Sequence, residues 1–160
     1  DSTIIMYNEP VMWSEENQLT SDSVKIVIRD TEIDSMVLFG SCFIISEDDS
    51  IYDSYNQIKG RTMIAYFEDN RIFKIFVTGN SETLYYLREE DKSLIGIQKA
   101  ISNQMMIYLD SNQIKGFTYI GKPDGAIHTL GELSDQDLIL RDFKWLDGQR
   151  PMKKEDIFTW

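Results

Sequence analysis

The stretch VKIVIRDTEIDSMVLFG at residues 24–40 decides the fold, because it recurs twice further along the chain. The second copy is MIAYFEDNRIFKIFVTG at 63–79, and the third is MMIYLDSNQIKGFTYIG at 105–121. The copies begin 39 and then 42 residues apart, and each ends in glycine. Internal similarity with a period of about 20–50 residues is typical of proteins built from stacked repeats.

Each copy has the residue pattern of a two-stranded hairpin. Val24, Ile26 and Ile28 alternate with other residues at a spacing of two, whereas a helix needs apolar residues at i, i+3 and i+4. A short turn rich in Asp and Asn divides each copy, as a tight hairpin requires. We therefore predict an all-β fold of roughly 40-residue, two-strand repeats. The predicted strands cover about 18–29, 33–45, 57–67, 71–87, 94–109 and 113–121, with a further strand at 4–7.

The pentapeptide NQIKG occurs at residues 56–60 and again at 112–116, but the two copies are not equivalent. In the register of the repeat, residues 56–60 open the first strand of one unit. Residues 112–116 lie in the second strand of the next. The pentapeptide is therefore not itself the repeating unit.

The pattern changes after Gly121, where the alternation fades. Ser134 and Asp137 have the spacing of a capping box, which predicts a short helix near 135–140. We expect Trp145 and the segment 151–158 to cap one end of the sheet. The chain is expected to form a single domain over 1–160, with repeats at 1–122 and a C-terminal cap or tail at 123–160. Its start without Met predicts a fragment of a longer protein.

Composition excludes several functional classes. There are 27 acidic and 16 basic residues, a formal net charge of −11, so we expect no nucleic-acid partner. Cys42 is the single cysteine, which rules out an intrachain disulfide and a cysteine-based zinc site. No apolar run approaches the ~20 residues of a membrane-spanning helix, so the chain is not expected to be transmembrane.

Several motifs resemble OstA-like proteins of the LptA/OstA superfamily, which transport lipopolysaccharide. They are PVMWSEENQLTSD at 10–22, the glycine-ended strands at Gly40 and Gly79, and FKW, RP and KEDIF at 143–145, 150–151 and 154–158. The resemblance implies an elongated antiparallel two-layer sheet, a β-taco or β-jellyroll. It also implies a periplasmic module in outer-membrane biogenesis that carries lipopolysaccharide or another acylated lipid in an apolar trough. Like modules, or other proteins of the pathway, would join it through open strand edges.

The candidate lipid-binding residues are those predicted to face inward. They are Val24, Ile26, Ile28, Met36, Leu38, Met63, Phe67, Ile75, Val77, Met105, Ile107, Leu109, Phe117 and Tyr119. Flexible methionines among them suit an adaptable pocket. The alternative is a structural scaffold for protein–protein assembly, in which these side chains form a filled core. Tyr66, Tyr85, Tyr86 and Tyr108 are predicted to face outward.

No catalytic constellation is evident, and we expect neither an enzyme, nor a cofactor, nor a metal site. His128 is the only histidine, and a single histidine is weak evidence for a metal site or a catalytic triad. Cys42 is predicted to be a small buried hydrophobe. The carboxylates at 47–49, at 89–91 and at Asp135 and Asp137 lack the spacing of a calcium-binding loop. We therefore expect them to be solvated charges in loops.

Overall fold

A computed structural model describes residues 1–48, 50–111, 113–153 and 155–156. Within these residues, ten strands form one antiparallel sheet. The strands are β1 (Ser2–Met6), β2 (Val11–Ser14), β3 (Asn17–Thr20), β4 (Ser23–Arg29), β5 (Glu32–Glu47), β6 (Tyr55–Glu68), β7 (Arg71–Arg88), β8 (Leu94–Asp110), β9 (Gln113–Ile120) and β10 (Asp124–His128). The predicted all-β fold is confirmed; β2 and β10 were not predicted.

Two-residue turns connect the strands of the first two repeated hairpins. Asp30 and Thr31 have φ angles of 48° and 70°, and Asp69 and Asn70 have 51° and 58°. Two consecutive positive φ angles are the signature of the type I′ turn, whose twist matches that of the flanking strands. In the third hairpin Ser111 has a φ of 50°, and Asn112 lies outside the described residues.

The glycine that ends each repeat bends the sheet. Gly40, Gly79 and Gly121 have φ angles of +75°, +79° and +77°, a region that side chains with a Cβ rarely adopt. At Gly79 an added Cβ would lie 2.6 Å from the Cβ of Arg61. The registers of β5 with β6 and of β7 with β8 also shift here, through bulges that bend a sheet. One continuous sheet therefore folds into two layers.

The first layer contains β1, β4, β9 and residues 32–39, 62–68, 71–78 and 104–110 of the long strands. The second layer contains β2, β3, β10 and residues 42–47, 55–60, 81–88 and 94–102. The sheet is open, because β1 and β2 form its edges at one end and β9 and β10 form them at the other. The apolar core lies between the layers.

The segment after β10 packs differently from the prediction. Residues 129–150, which we call the strap, cross the outer face of the second layer, so Trp145 packs on that face and does not cap an end of the sheet. The predicted helix is a 3-10 helix, Asp135–Leu138, whose Asp137 N–H donates to the Ser134 hydroxyl at 3.4 Å. A second 3-10 helix covers Asp147–Gln149. Of the predicted cap, Lys154 and 157–160 lie outside the described residues.

Two glutamines at equivalent repeat positions hold the strap. The Gln57 side chain donates to the Leu138 carbonyl at 2.9 Å and accepts from the Leu140 N–H at 2.8 Å. Gln18 bonds Lys144 and Leu146 in the same way, at 2.8 and 2.7 Å. Each side-chain amide thus makes with the strap the pair of hydrogen bonds that the backbone of a neighbouring strand would make.

Candidate functional site

Inward side chains of the first layer form rows that run across its strands. One row contains Met6, Val24, Leu38, Met63, Val77, Met105 and Tyr119, each directly opposite the next. A parallel row contains Ile26, Met36, Ala65, Ile75, Ile107 and Phe117. These rows exist because the repeats are in register and side chains alternate between the faces of a strand.

The predicted inward set is brought together by these rows. Every member except Ile28 belongs to one hydrophobic core, either buried in it or packed against it. Ile28 is half-buried, beside the turn at the outer end of β4. In the middle of the sheet the packing is close, with Met63, Val77 and Met105 each 0% exposed. The middle of the trough is therefore filled by side chains.

The facing row of the second layer becomes smaller along the sheet. It contains Met12, Leu19, Ile44, Ile58, Thr83, Ala100 and Gly125, each opposite the next. The large residues lie at the β2 end, and Thr, Ala and Gly lie at the β10 end. In this row, side-chain volume therefore decreases towards the end of the two layers at β9 and β10.

An open cleft of about 540 Å³ occupies this end of the molecule. Its lining residues are Gln98, Ala100, Tyr119, Pro123, Asp124, Gly125, Ala126 and Ile127. Small-ligand sites commonly measure about 300–1,000 Å³ and have mostly apolar walls. Ile127 is 58% exposed at its mouth. The candidate site is this cleft and the apolar row behind it.

Sequence reasoning found Tyr119 but missed the rest of the cleft lining. A signal for Ala100 existed, since the repeat offsets that align Leu19 with Ile58 align Ile58 with Ala100. A small residue at a repeated core position indicates space. Gly125 and Ile127 gave no such signal, because β10 lies where the repeat pattern has faded.

Tyr119 connects the two layers beside the cleft. Its hydroxyl lies 3.1 Å from that of Thr83, and the Gln98 amide donates to it. The Tyr119 ring stacks on Phe117, with centroids 6.0 Å apart and planes 8° apart. Burial raises the pKa of the Tyr119 hydroxyl, which stays protonated and able to donate.

The prediction that Tyr85 faces outward was wrong. Tyr85 packs edge-on against Phe117 between the layers, with centroids 5.2 Å apart. Tyr86 faces outward but is buried in a second core that the strap completes. Tyr108 is exposed on the outer face as predicted.

The remaining candidates have structural surroundings. Cys42 is buried, and burial raises its pKa to about 12, so its thiol is neutral and unreactive near neutral pH. His128 Nδ1 lies 3.1 Å from the Glu132 carboxylate on the surface. Asp48 is buried in an ion pair with Arg88 at 2.8 Å. In the described part of the chain, no three His, Cys, Asp or Glu side chains are arranged to hold a metal ion.

Comparisons with models of protein families, with curated proteins and with solved structures find no match for this chain. The resemblance to OstA-like proteins therefore stays a prediction based on the quoted motifs. Across the described residues, the structure contains no helix with the length and apolar content needed to cross a bilayer.

Proposed function

We propose that this chain is a noncatalytic carrier of an acylated lipid, lipopolysaccharide being the cargo that the motif resemblance implies. The observation that carries the proposal is the open cleft between β9 and β10. It continues the apolar rows of the trough, and its lining includes the small residues Ala100 and Gly125. A periplasmic location belongs to the same proposal and rests on the resemblance alone.

The chemistry of the cleft suits an acyl chain better than a charged headgroup. Ala100 and Ile127 provide apolar wall, and each methylene removed from water contributes about 0.8 kcal/mol. The carboxylate of Asp124 lies at the mouth, and the whole chain carries a formal −11. An anionic headgroup is therefore expected to remain in solvent or to be bridged to the protein by divalent cations.

A structural scaffold is the second candidate function. It is favoured by the 0% exposure of Met63, Val77 and Met105, which leaves no space in the middle of the trough. In that case the sheet edges would recruit protein partners and the cleft would have no cargo.

Titration with a fluorescent lipid A analogue separates the two functions. Ile127→Asp places a charge at the mouth, and Ala100→Phe fills the cleft; both are expected to weaken binding at least tenfold. Thr118→Asp and Thr118→Phe are the controls, since Thr118 is exposed on β9 next to Tyr119. The carrier function is supported if the wild type and both Thr118 variants bind saturably while Ile127→Asp and Ala100→Phe bind at least tenfold more weakly. Absence of binding by the wild type, or equal binding by all variants, contradicts it.

A further inference from the structure

We propose that Tyr119 is a gating residue, whose hydrogen bonds to Thr83 and Gln98 close the apolar interior against the cleft. We call these three residues the clasp. The inference deepens the proposed carrier function and rests on it, because it says how far a cargo reaches into the trough.

The position of Tyr119 in its row is the first support. The other members of the row are Met6, Val24, Leu38, Met63, Val77 and Met105. Tyr119 is the last member and the only one with a polar group. It lines the cleft on one side and packs against the apolar core on the other. It therefore forms the boundary between the cleft and the packed core.

The hydrogen bonds of the clasp are the second support. The ring belongs to β9 in the first layer, while Thr83 and Gln98 belong to β7 and β8 in the second. A single hydroxyl thus ties the layers together at the open end. Its neutral bonds each contribute only a small net free energy, so they can break without unfolding the domain.

The strand that carries Tyr119 is suited to local movement. Among the residues that the structure describes, β9 pairs with β8 alone, and no strand pairs with its other edge. Phe117, on the same strand, stacks on Tyr119 and touches Tyr85 of the second layer. Edge strands with many exposed residues open at lower free energy than central strands. Displacement of β9 would carry both rings away from the second layer together.

Release of the clasp would join the cleft to the row behind it. In the closed state a chain end meets Ala100, Gly125 and the Tyr119 ring. In the open state it would reach Met105 and Val77, which are now fully buried. The clasp is therefore expected to discriminate by chain length, with short acyl chains held in the cleft and long chains requiring the open state.

Tyr119→Phe tests this directly, because it removes the hydroxyl and keeps the ring. Tyr108→Phe is the matched control, since Tyr108 is exposed on the outer face of β8. The probes are fluorescent lysophosphatidylcholines with a short and a long acyl chain. Tyr119→Phe is expected to bind the long probe at least fivefold faster, because it removes both hydrogen bonds of the clasp. The short probe should bind at the wild-type rate. Thr83→Val, which removes one partner, should act in the same direction.

Hydrogen exchange without lipid provides an independent readout. Amides of β9 should exchange at least fivefold faster in Tyr119→Phe, while those of β6 should not change. Unchanged β9 exchange, or equal acceleration in every strand, would overturn the clasp. So would saturable binding of the long probe at equal rates by wild type and Tyr119→Phe. If neither probe binds the wild type but β9 exchange accelerates selectively, the carrier function fails and the clasp stands as a purely structural contact.

Discussion

Buried amide side chains make the decisive residue-scale contacts outside the core. Gln57 is 0% exposed although glutamine is a polar residue, and its side chain satisfies two backbone groups of the strap. Gln113, the glutamine of the other NQIKG copy, is exposed on β9. The two glutamines thus have opposite environments, because their strands occupy different places in the repeat.

Substitution of these two glutamines should therefore have unequal effects. Gln57→Leu leaves the Leu138 carbonyl and the Leu140 N–H without their partner, and we expect a loss of about 3 kcal/mol in unfolding free energy. Gln113→Leu, the control, should stay within about 0.5 kcal/mol of wild type. Urea denaturation measures both, and similar values for the two variants would contradict the assigned role of Gln57.

The buried thiol of Cys42 should make the free energy of unfolding depend on pH. Burial raises the thiol pKa from its ordinary value of 9.0 to about 12, so between these values the unfolded chain loses a proton that the folded chain keeps. Stability from this group is complete below pH 9 and is lost as the pH rises towards 12. In that window the unfolding free energy should fall by up to about 1.4 kcal/mol per pH unit more than in Cys42→Ala. Parallel pH profiles for the two proteins would refute this.

At the scale of elements, the strap covers the outer face of the second layer. This face of the second layer carries the apolar residues Phe43, Ile45, Leu84, Tyr86 and Ile97, which are buried together with Leu140 of the strap. Aromatic contacts extend this cover, with Trp145 5.3 Å from both Trp13 and Tyr55. The strap is therefore an integral layer of the fold and not an appendage.

Removal of the strap should expose this apolar face. A chain that ends at His128 is expected to bind the dye ANS strongly and to aggregate, because a large exposed apolar patch is an association site. A chain that ends at Pro151 keeps the strap and serves as the control; it should remain well behaved. Size-exclusion chromatography with ANS fluorescence makes the comparison, and a monomeric, dye-free short chain would show that the strap is dispensable.

At the scale of the whole molecule, the open sheet leaves different strand edges at its two ends. Unpaired edges present free backbone donors and acceptors, which favour pairing with another chain. Ile5 on β1 is 51% exposed, and Ile120 on β9 is 41% exposed. Because the two ends differ, contact between them would be head-to-tail and would propagate.

Mixing of edge variants tests head-to-tail association. Ile5→Lys blocks one end and Ile120→Lys blocks the other, so each variant alone should be monomeric at concentrations where wild type forms chains. An equimolar mixture should form dimers, because each partner still offers one intact end. Light scattering distinguishes the species; dimers in the single variants would instead indicate a two-fold symmetric contact, and a monomeric wild type would exclude association.

Much of the fold could be predicted because each repeat encodes its structure locally. Alternation in Val24, Ile26 and Ile28 predicted a strand, and the polar pair at Asp30 and Thr31 predicted its turn, since both signals depend on neighbouring residues alone. The inward set followed from the same alternation. The strap could not be placed this way, because its partners Gln18 and Gln57 are more than 80 residues away along the chain.

The sequence by itself determined the all-β class, the hairpin repeat, the glycine that ends each repeat and most residues of the apolar interior. Only the tertiary structure decided that the interior is packed in its middle and open beside β9 and β10. It also decided that Thr83, Gln98 and Tyr119 meet. The physical reason is that these features depend on which strands lie opposite one another and on how the bent layers face each other, whereas strand periodicity and turn chemistry act within a few residues.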